Sequence, residues 1–130
     1  MASIDLCSVT KTYPGGKTVM ENFDLHVRDG SFTVLVGPSG CGKTTSIRMI
    51  AGLEELTAGD VKIDGEVVTH QEPGERGIAM VFQNYALYPH MTVEKNIAFG
   101  LKNLGYSKAE IEASVTEVLE MVGLTEYRHA

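Results

Sequence analysis

Apolar positions along this chain fall into two patterns, short runs and helical stripes. Ser31–Val36, SFTVLV, is a near-continuous run of β-branched and apolar residues between RDG and GPSG. Such a run predicts a β-strand buried on both faces, as in a parallel sheet. IAMVF, residues 78–82, predicts a second apolar strand of the same kind. Residues 3–27 predict two or three antiparallel strands, with PGGK at 14–17 as a turn. DVKIDGEVV predicts a hairpin around Asp64–Gly65.

Helical spacing takes over elsewhere. Ile47, Ile50 and Ala51 recur at the period of a helix that begins near Gly42 or Lys43. Thr92–Phe99 predicts a short helix and Ser107–Val122 a longer one. In the latter, Ser107 with Glu110 forms a capping box, and Ile111, Val115, Val118, Leu119 and Val122 make one apolar stripe, read most simply as core packing. Strand, loop and helix in alternation predict an α/β fold, beside the antiparallel strands of residues 3–27.

Between the run 31–36 and the helix lies GPSGCGKT. Gly37, Pro38, Ser39, Gly40, Cys41, Gly42, Lys43 and Thr44 satisfy G-x-x-x-x-G-K-[ST] without a gap. Each residue type has a physical reason to be there. Glycines reach backbone dihedrals that other residues resist, so several N–H groups can converge on one centre. Those groups and the positive end of a helix favour an anion. Lys43 supplies a mobile ammonium, and the Thr44 hydroxyl is placed to ligand a Mg²⁺ ion bridging phosphates. The loop is a phosphate cradle; a plain Gly-rich turn with a solvated lysine is the competing reading.

Composition sharpens this picture modestly. The chain has 130 residues, 43% hydrophobic and 22% charged, as expected of a soluble globular domain. No apolar run approaches the roughly 18 residues a membrane span requires. The start, MASIDLCSVTKTY, lacks the basic and apolar regions of a signal peptide. A formal charge of −6 argues against non-specific nucleic-acid binding. Cys7 and Cys41 are expected to be reduced thiols, and His26, His70, His90 and His129 are too scattered to form a metal site.

Further motifs flank the loop. GPSGCGKTTSIRMIAGLEELTAGDVKIDG, ERGIAMVFQNYALYPH and YALYPHMTVEKNIAFG together resemble the ATP-binding subunits of ABC transporters, and most of all those of carbohydrate importers of the maltose and glycerol-phosphate type. The resemblance runs from Ile4 to Val122. It implies a P-loop NTPase with a RecA-like core, incomplete here, and an N-terminal antiparallel β-subdomain. It implies ATP and Mg²⁺ as ligands, with Gly37–Thr45 as the Walker A segment, so Thr45 joins the cofactor-binding residues.

The resemblance assigns roles that composition and spacing leave open. Tyr13, in VTKTYPGG, matches the aromatic residue that stacks on adenine; from its position alone it could equally cover apolar surface at a sheet edge. Gln83, in VFQN, matches a glutamine that completes the Mg²⁺ shell or orients the attacking water; alone it could simply cap a strand end. Tyr85–Met91 is an unusually apolar loop that either folds back into the core or forms a docking surface. The resemblance favours docking and points to Ala86, Leu87 and Tyr88 as contacts for a transmembrane permease subunit. It also implies a second ATPase subunit, an indirect partnership with a solute-binding protein, and a peripheral place on the cytoplasmic face of the membrane.

The family's LSGGQ signature, Walker B carboxylates and switch histidine have no counterpart in residues 1–130. The chain is therefore expected to be the N-terminal part of a longer ATPase, whose catalytic carboxylate lies beyond residue 130. Such a piece is expected to bind nucleotide without hydrolysing it at the family's rate, and to be marginally stable because the run at 33–36 would lack a neighbouring strand. The alternatives are a soluble phosphotransferase, an ABC-type ATPase that serves DNA repair or translation instead of transport, and a nucleotide-binding module without turnover. A phosphotransferase usually carries this loop on its first strand, whereas here some thirty β-rich residues precede it.

Overall fold

The computed structural model describes residues 2–38 and 40–130. They fall into two compact units, one ending at Met80 and the other running from Val81 to Ala130.

The first unit is built on an antiparallel sheet of β1 (Ile4–Thr12), β2 (Thr18–Val27), β3 (Ala58–Ile63) and β4 (Glu66–Val67), in the order β2-β1-β3-β4. Local turn chemistry sets both hairpins. Between β3 and β4, Asp64 and Gly65 have φ of 55° and 80°, the pair of positive values that a tight two-residue hairpin turn requires. Between β1 and β2 the Tyr13 N–H donates to the Lys17 carbonyl at 2.9 Å across the PGG turn. β1 is bulged between Leu6 and Val9, where Ser8 takes a φ of 48°. Gly59 of β3 packs against that bulge. A Cβ on Gly59 would sit 2.5 Å from the Ser8 carbonyl oxygen and 2.6 Å from that of Cys7, so only glycine fits.

α1 (Lys43–Ala51) packs on this sheet. Leu6, Val9, Met49, Val61, Ile63 and Val68 form the buried core. Gly52 ends α1 in the left-handed region, its N–H on the carbonyls of Arg48 and Met49. A buried arginine fastens the same helix end. The Arg76 guanidinium donates to the carbonyls of Met49 (3.0 Å), Ile50 (3.1 Å), Gln71 (3.0 Å) and Thr69 (3.1 Å). Burial holds its pKa below the usual arginine value, partly offset by Glu72. Among the described residues it makes no ion pair with a carboxylate, and its charge sits against the negative end of the helix.

The second unit contains α2 (Val93–Asn103) and α3 (Lys108–Met121). Thr92 caps α2, and α2 runs past Phe99 to Asn103, longer than predicted, because Gly100 weakens a helix without ending it and Leu101 and Lys102 favour it. The capping box at Ser107 forms as expected: Glu110 N–H donates to the Ser107 hydroxyl at 3.3 Å, and Ser107 N–H to the Glu110 carboxylate at 2.8 Å. Of the apolar stripe, Val115 and Leu119 are buried, whereas Val118 and Val122 are 38% and 55% exposed. The stripe is wider than the face that α2 covers, so reading all of it as core is corrected. Arg128 ties the helices together through Glu94 (2.7 Å), Thr116 (3.1 Å) and Glu112. This hydrogen bonding raises the arginine's pKa and lowers that of Glu94.

Two predicted strands do not form. Ser31–Val36 and residues 78–82 lie outside every strand, and Phe32 and Val36 are 95% and 85% exposed. A strand of a parallel sheet needs a neighbour supplied by a crossover connection. Among the described residues the only paired strands are the antiparallel ones, and their hydrogen bonds are made with one another.

Candidate functional site

The GPSGCGKT loop lies in the first unit and opens directly into α1. Gly40 and Gly42 have φ of 82° and 95°, a conformation that side chains resist. A Cβ at Gly42 would press on the Met20 side chain at 3.2 Å, and one at Gly37 would stand 2.6 Å from the Cys41 sulfur. The loop thus packs closely against Met20 and its own Cys41 side chain, and Cys41 is exposed. Ser39 lies outside the described residues.

The start of α1 has an unusual feature. Its N-cap is Gly42, no side chain caps it, and its first turn holds no acidic residue. The amide hydrogens at a helix start normally find a side-chain oxygen or water. Among the described residues no side chain caps them here, at the positive end of a nine-residue helix. Lys43 folds its ammonium onto the Gly37 carbonyl, and onto that of Pro38 at 3.2 Å. Both are weak, neutral acceptors that a phosphate oxygen could replace. Thr44 is exposed, and Ser46 is tied by its hydroxyl to the Gly42 carbonyl at 2.8 Å, which steadies the first turn. The uncapped helix start, the Lys43 ammonium and the exposed Thr44 side chain fit a polyphosphate with its magnesium ion.

Tyr13 joins this group. It follows β1, and its hydroxyl shares a 3.1 Å hydrogen bond with the Thr45 hydroxyl in the first turn of α1. The Lys11 ammonium stands 4.9 Å from the centre of its ring. The structure therefore brings Tyr13 together with Gly37, Pro38, Gly40, Cys41, Gly42, Lys43, Thr44 and Thr45. Gln83 belongs to the second unit, where it opens an exposed turn, Gln83–Ala86.

The apolar loop after Gln83 does not fold into a core. Tyr85 and Leu87 are 73% and 70% exposed, and Tyr85 and Ala86 have φ of 61° and 49°. Tyr88 packs on Phe99 with ring centres 4.7 Å apart. Asn96 holds the segment in place. Its Oδ1 accepts from Tyr88 N–H at 2.9 Å, while its Nδ2 donates to the carbonyls of Tyr88 (3.2 Å), Met91 (3.3 Å) and Thr92 (3.0 Å).

Sequence reasoning passed over Lys11, Arg76 and Asn96. Lys11 left a usable signal: it precedes Tyr13 by two residues, which places both on one side of an extended chain. Arg76 and Asn96 leave none, because their partners are main-chain groups that any residue could supply.

Comparison with known proteins bears on this geometry. A family model described as ABC transporter matches residues 20–130. The sn-glycerol-3-phosphate import ATP-binding protein UgpC of Rhodopseudomonas palustris (strain ATCC BAA-98 / CGA009) is 58% identical over 124 residues, which is 95% of this chain and 34% of that protein. Its counterpart from Salmonella typhimurium is 56% identical over 131 residues, 98% of this chain and 37% of that protein. The chain thus spans about a third of the length of the curated relatives it matches. Among solved structures, the ATP-binding cassette MJ0796, a dimer in a post-hydrolysis state with ADP and Pi, superposes with a TM-score of 0.83 at 30% identity, covering 97% of this chain and 60% of that one. The α/β P-loop fold class predicted from the sequence is that of this neighbour. Loop, helix and β-subdomain together with the family match lead to one conclusion: the chain belongs to the ABC transporter family.

Proposed function

We propose that this chain binds Mg-ATP at the loop 37–45 and that, in the intact subunit, hydrolysis of that ATP drives solute import. The observation that carries the reading is the uncapped, glycine-led start of α1 with Lys43 folded over the loop. The names of the relatives, import ATP-binding proteins for sn-glycerol-3-phosphate, support a sugar-phosphate or related carbohydrate as the solute.

Backbone amides of the loop, Ser39 included, would hold the phosphates, and the Lys43 ammonium would leave the Gly37 and Pro38 carbonyls for the outer phosphate oxygens. Thr44 and Gln83 would hold magnesium, which would offset the charge of the phosphates. The Thr45 hydroxyl would hold Tyr13, whose ring would stack on adenine. Gln83 would also sense the γ-phosphate.

Ala86, Leu87 and Tyr88 would meet a transmembrane permease subunit. Their exposure, and the Asn96 side chain that pins the loop after them, support this reading. The dimeric state of the structural neighbour supports pairing with a second ATPase subunit. No described helix is long and apolar enough to cross a membrane. That agrees with a peripheral position on the cytoplasmic face, beside a permease that a solute-binding protein supplies.

Calorimetry with Mg-ATP tests the site. Lys43→Ala is expected to weaken binding roughly ten- to a hundredfold, the worth of one charge-assisted contact. Unchanged affinity would remove Lys43 from the phosphate site.

A further inference from the structure

Lys11 lies inside β1 and is only 7% exposed. A buried ammonium is costly unless its charge and its donors are met. Here the Glu54 carboxylate lies 3.2 Å away, and the Glu55 carbonyl accepts a hydrogen bond at 2.6 Å. Both partners belong to the segment just after α1, so the position of Nζ is fixed by the same helix that carries the phosphate loop. From there it stands over the Tyr13 ring, 4.9 Å from the centroid. The far end of that ring is tied to Thr45.

We propose that Lys11 is a positioning residue for the nucleotide base. Its ammonium occupies one face of Tyr13, so a planar ligand can stack only on the other. With the hydroxyl held by Thr45, the ring becomes a one-sided shelf at a set distance from the loop. A ring already fixed loses little freedom when a base lands on it, and this preorganisation strengthens binding. The attraction between cation and ring holds the arrangement together without Lys11 touching the ligand. The proposal rests on the reading of Tyr13 as the base platform.

The test compares Mg-ATP with Mg-tripolyphosphate, which has the phosphates but no base, by calorimetry on the intact ATPase subunit. Lys11→Gln keeps a donor for the Glu55 carbonyl but removes the charge. It is expected to weaken Mg-ATP roughly three- to tenfold and to leave tripolyphosphate unchanged. Lys11→Arg restores the cation and is expected to stay within about twofold of the parent for both. Equal losses for both ligands in Lys11→Gln, or no loss for either, would overturn the proposal. Tyr13→Ala separates the two layers. If it leaves the ratio of the two affinities unchanged, the platform reading itself fails. If it lowers the ratio while Lys11→Gln does not, only the role of Lys11 fails. Should Lys11→Gln not fold, proton NMR of the parent decides. The Lys11 ε-methylene signals are expected upfield, under the ring, and to move with Mg-ATP but not with Mg-tripolyphosphate. Signals at ordinary positions, or moved equally by both, would overturn the proposal.

Discussion

β1 and the run Ser31–Val36 both read as β-strands in the sequence, yet they end up in opposite states. β1 is paired on both sides, with β2 and β3, and its Leu6 and Val9 are 2% and 0% exposed. The run 31–36 is unpaired, with Phe32 95% exposed. Hydrophobicity does not separate them, since Phe, Val and Leu crowd the second segment more densely. Supply of partners does. β1 meets β2 through a short turn, and β3 carries its own hairpin partner β4 two residues on. The run 31–36 has the composition of an interior parallel strand, which must receive its neighbours from distant parts of a chain. An apolar run therefore states a capacity for burial, and the connectivity around it decides whether that capacity is met.

The sharpest way to break the contrast is to take β1's pairing away. Gly59→Val would drive a side chain into the Ser8 and Cys7 carbonyls at a φ of 91°. The backbone strain and the overpacking together are expected to cost on the order of 4 kcal/mol. Hydrogen exchange at β1 amides would show the loss, and native-like protection in the variant would mean the bulge can yield. Next in size is Leu6→Ala, which empties a site 2% exposed. A loss of about 2–5 kcal/mol in denaturant titration is expected, because the surrounding side chains relax only in part.

The parts of the fold legible in the sequence are those whose determinants are neighbours. Asp64–Gly65 announced its turn because two positive φ values need those residue types. Ser107 and Glu110 announced a helix start because the capping box closes within one turn. The glycine-lysine loop was legible for the same reason, as its donors all come from one short segment. The long-range fastenings were not. Arg76 binds carbonyls of Met49 and Ile50, and a main-chain carbonyl leaves no trace in the residue type; Lys11 showed only in its spacing from Tyr13. The exposure of 31–36 was legible only through the family resemblance, which implied a missing neighbour for 33–36, because a strand's own letters do not say whether a partner strand exists.

A smaller effect is expected at that local capping box. Ser107→Ala removes the hydroxyl that accepts from Glu110 N–H and is expected to cost about 1 kcal/mol, read as a shift of the unfolding midpoint. Hydrogen bonds from Ser107, side chain first and backbone second, hold the Glu110 carboxyl below the usual glutamate range. A carboxyl whose pKa is lower folded than unfolded stabilises the fold above the ordinary glutamate value, and that contribution fades as pH falls through the folded value. Glu110→Gln should therefore flatten the acid limb of the stability profile. An acid limb as steep as the parent's would assign it to other carboxylates.

Phe32→Ser is expected to have the smallest effect, and it carries the most information about the comparison. A side chain 95% exposed has almost no burial to lose, so stability should stay within about 0.5 kcal/mol of the parent. Solubility should rise, because Phe32 belongs to an exposed apolar run with Val34 and Val36, at 62% and 85% exposure. The measurement is a denaturant titration beside light scattering at rising concentration of this chain. If Phe32→Ser instead unfolds as easily as Leu6→Ala, the run is buried in solution after all, against another copy or against the chain itself. The contrast with β1 would then be one of degree, since both segments would have found partners and only the distance to them would differ. If stability holds and scattering falls, burial in this molecule follows the supply of partners, and the hydrophobic letters alone do not predict it.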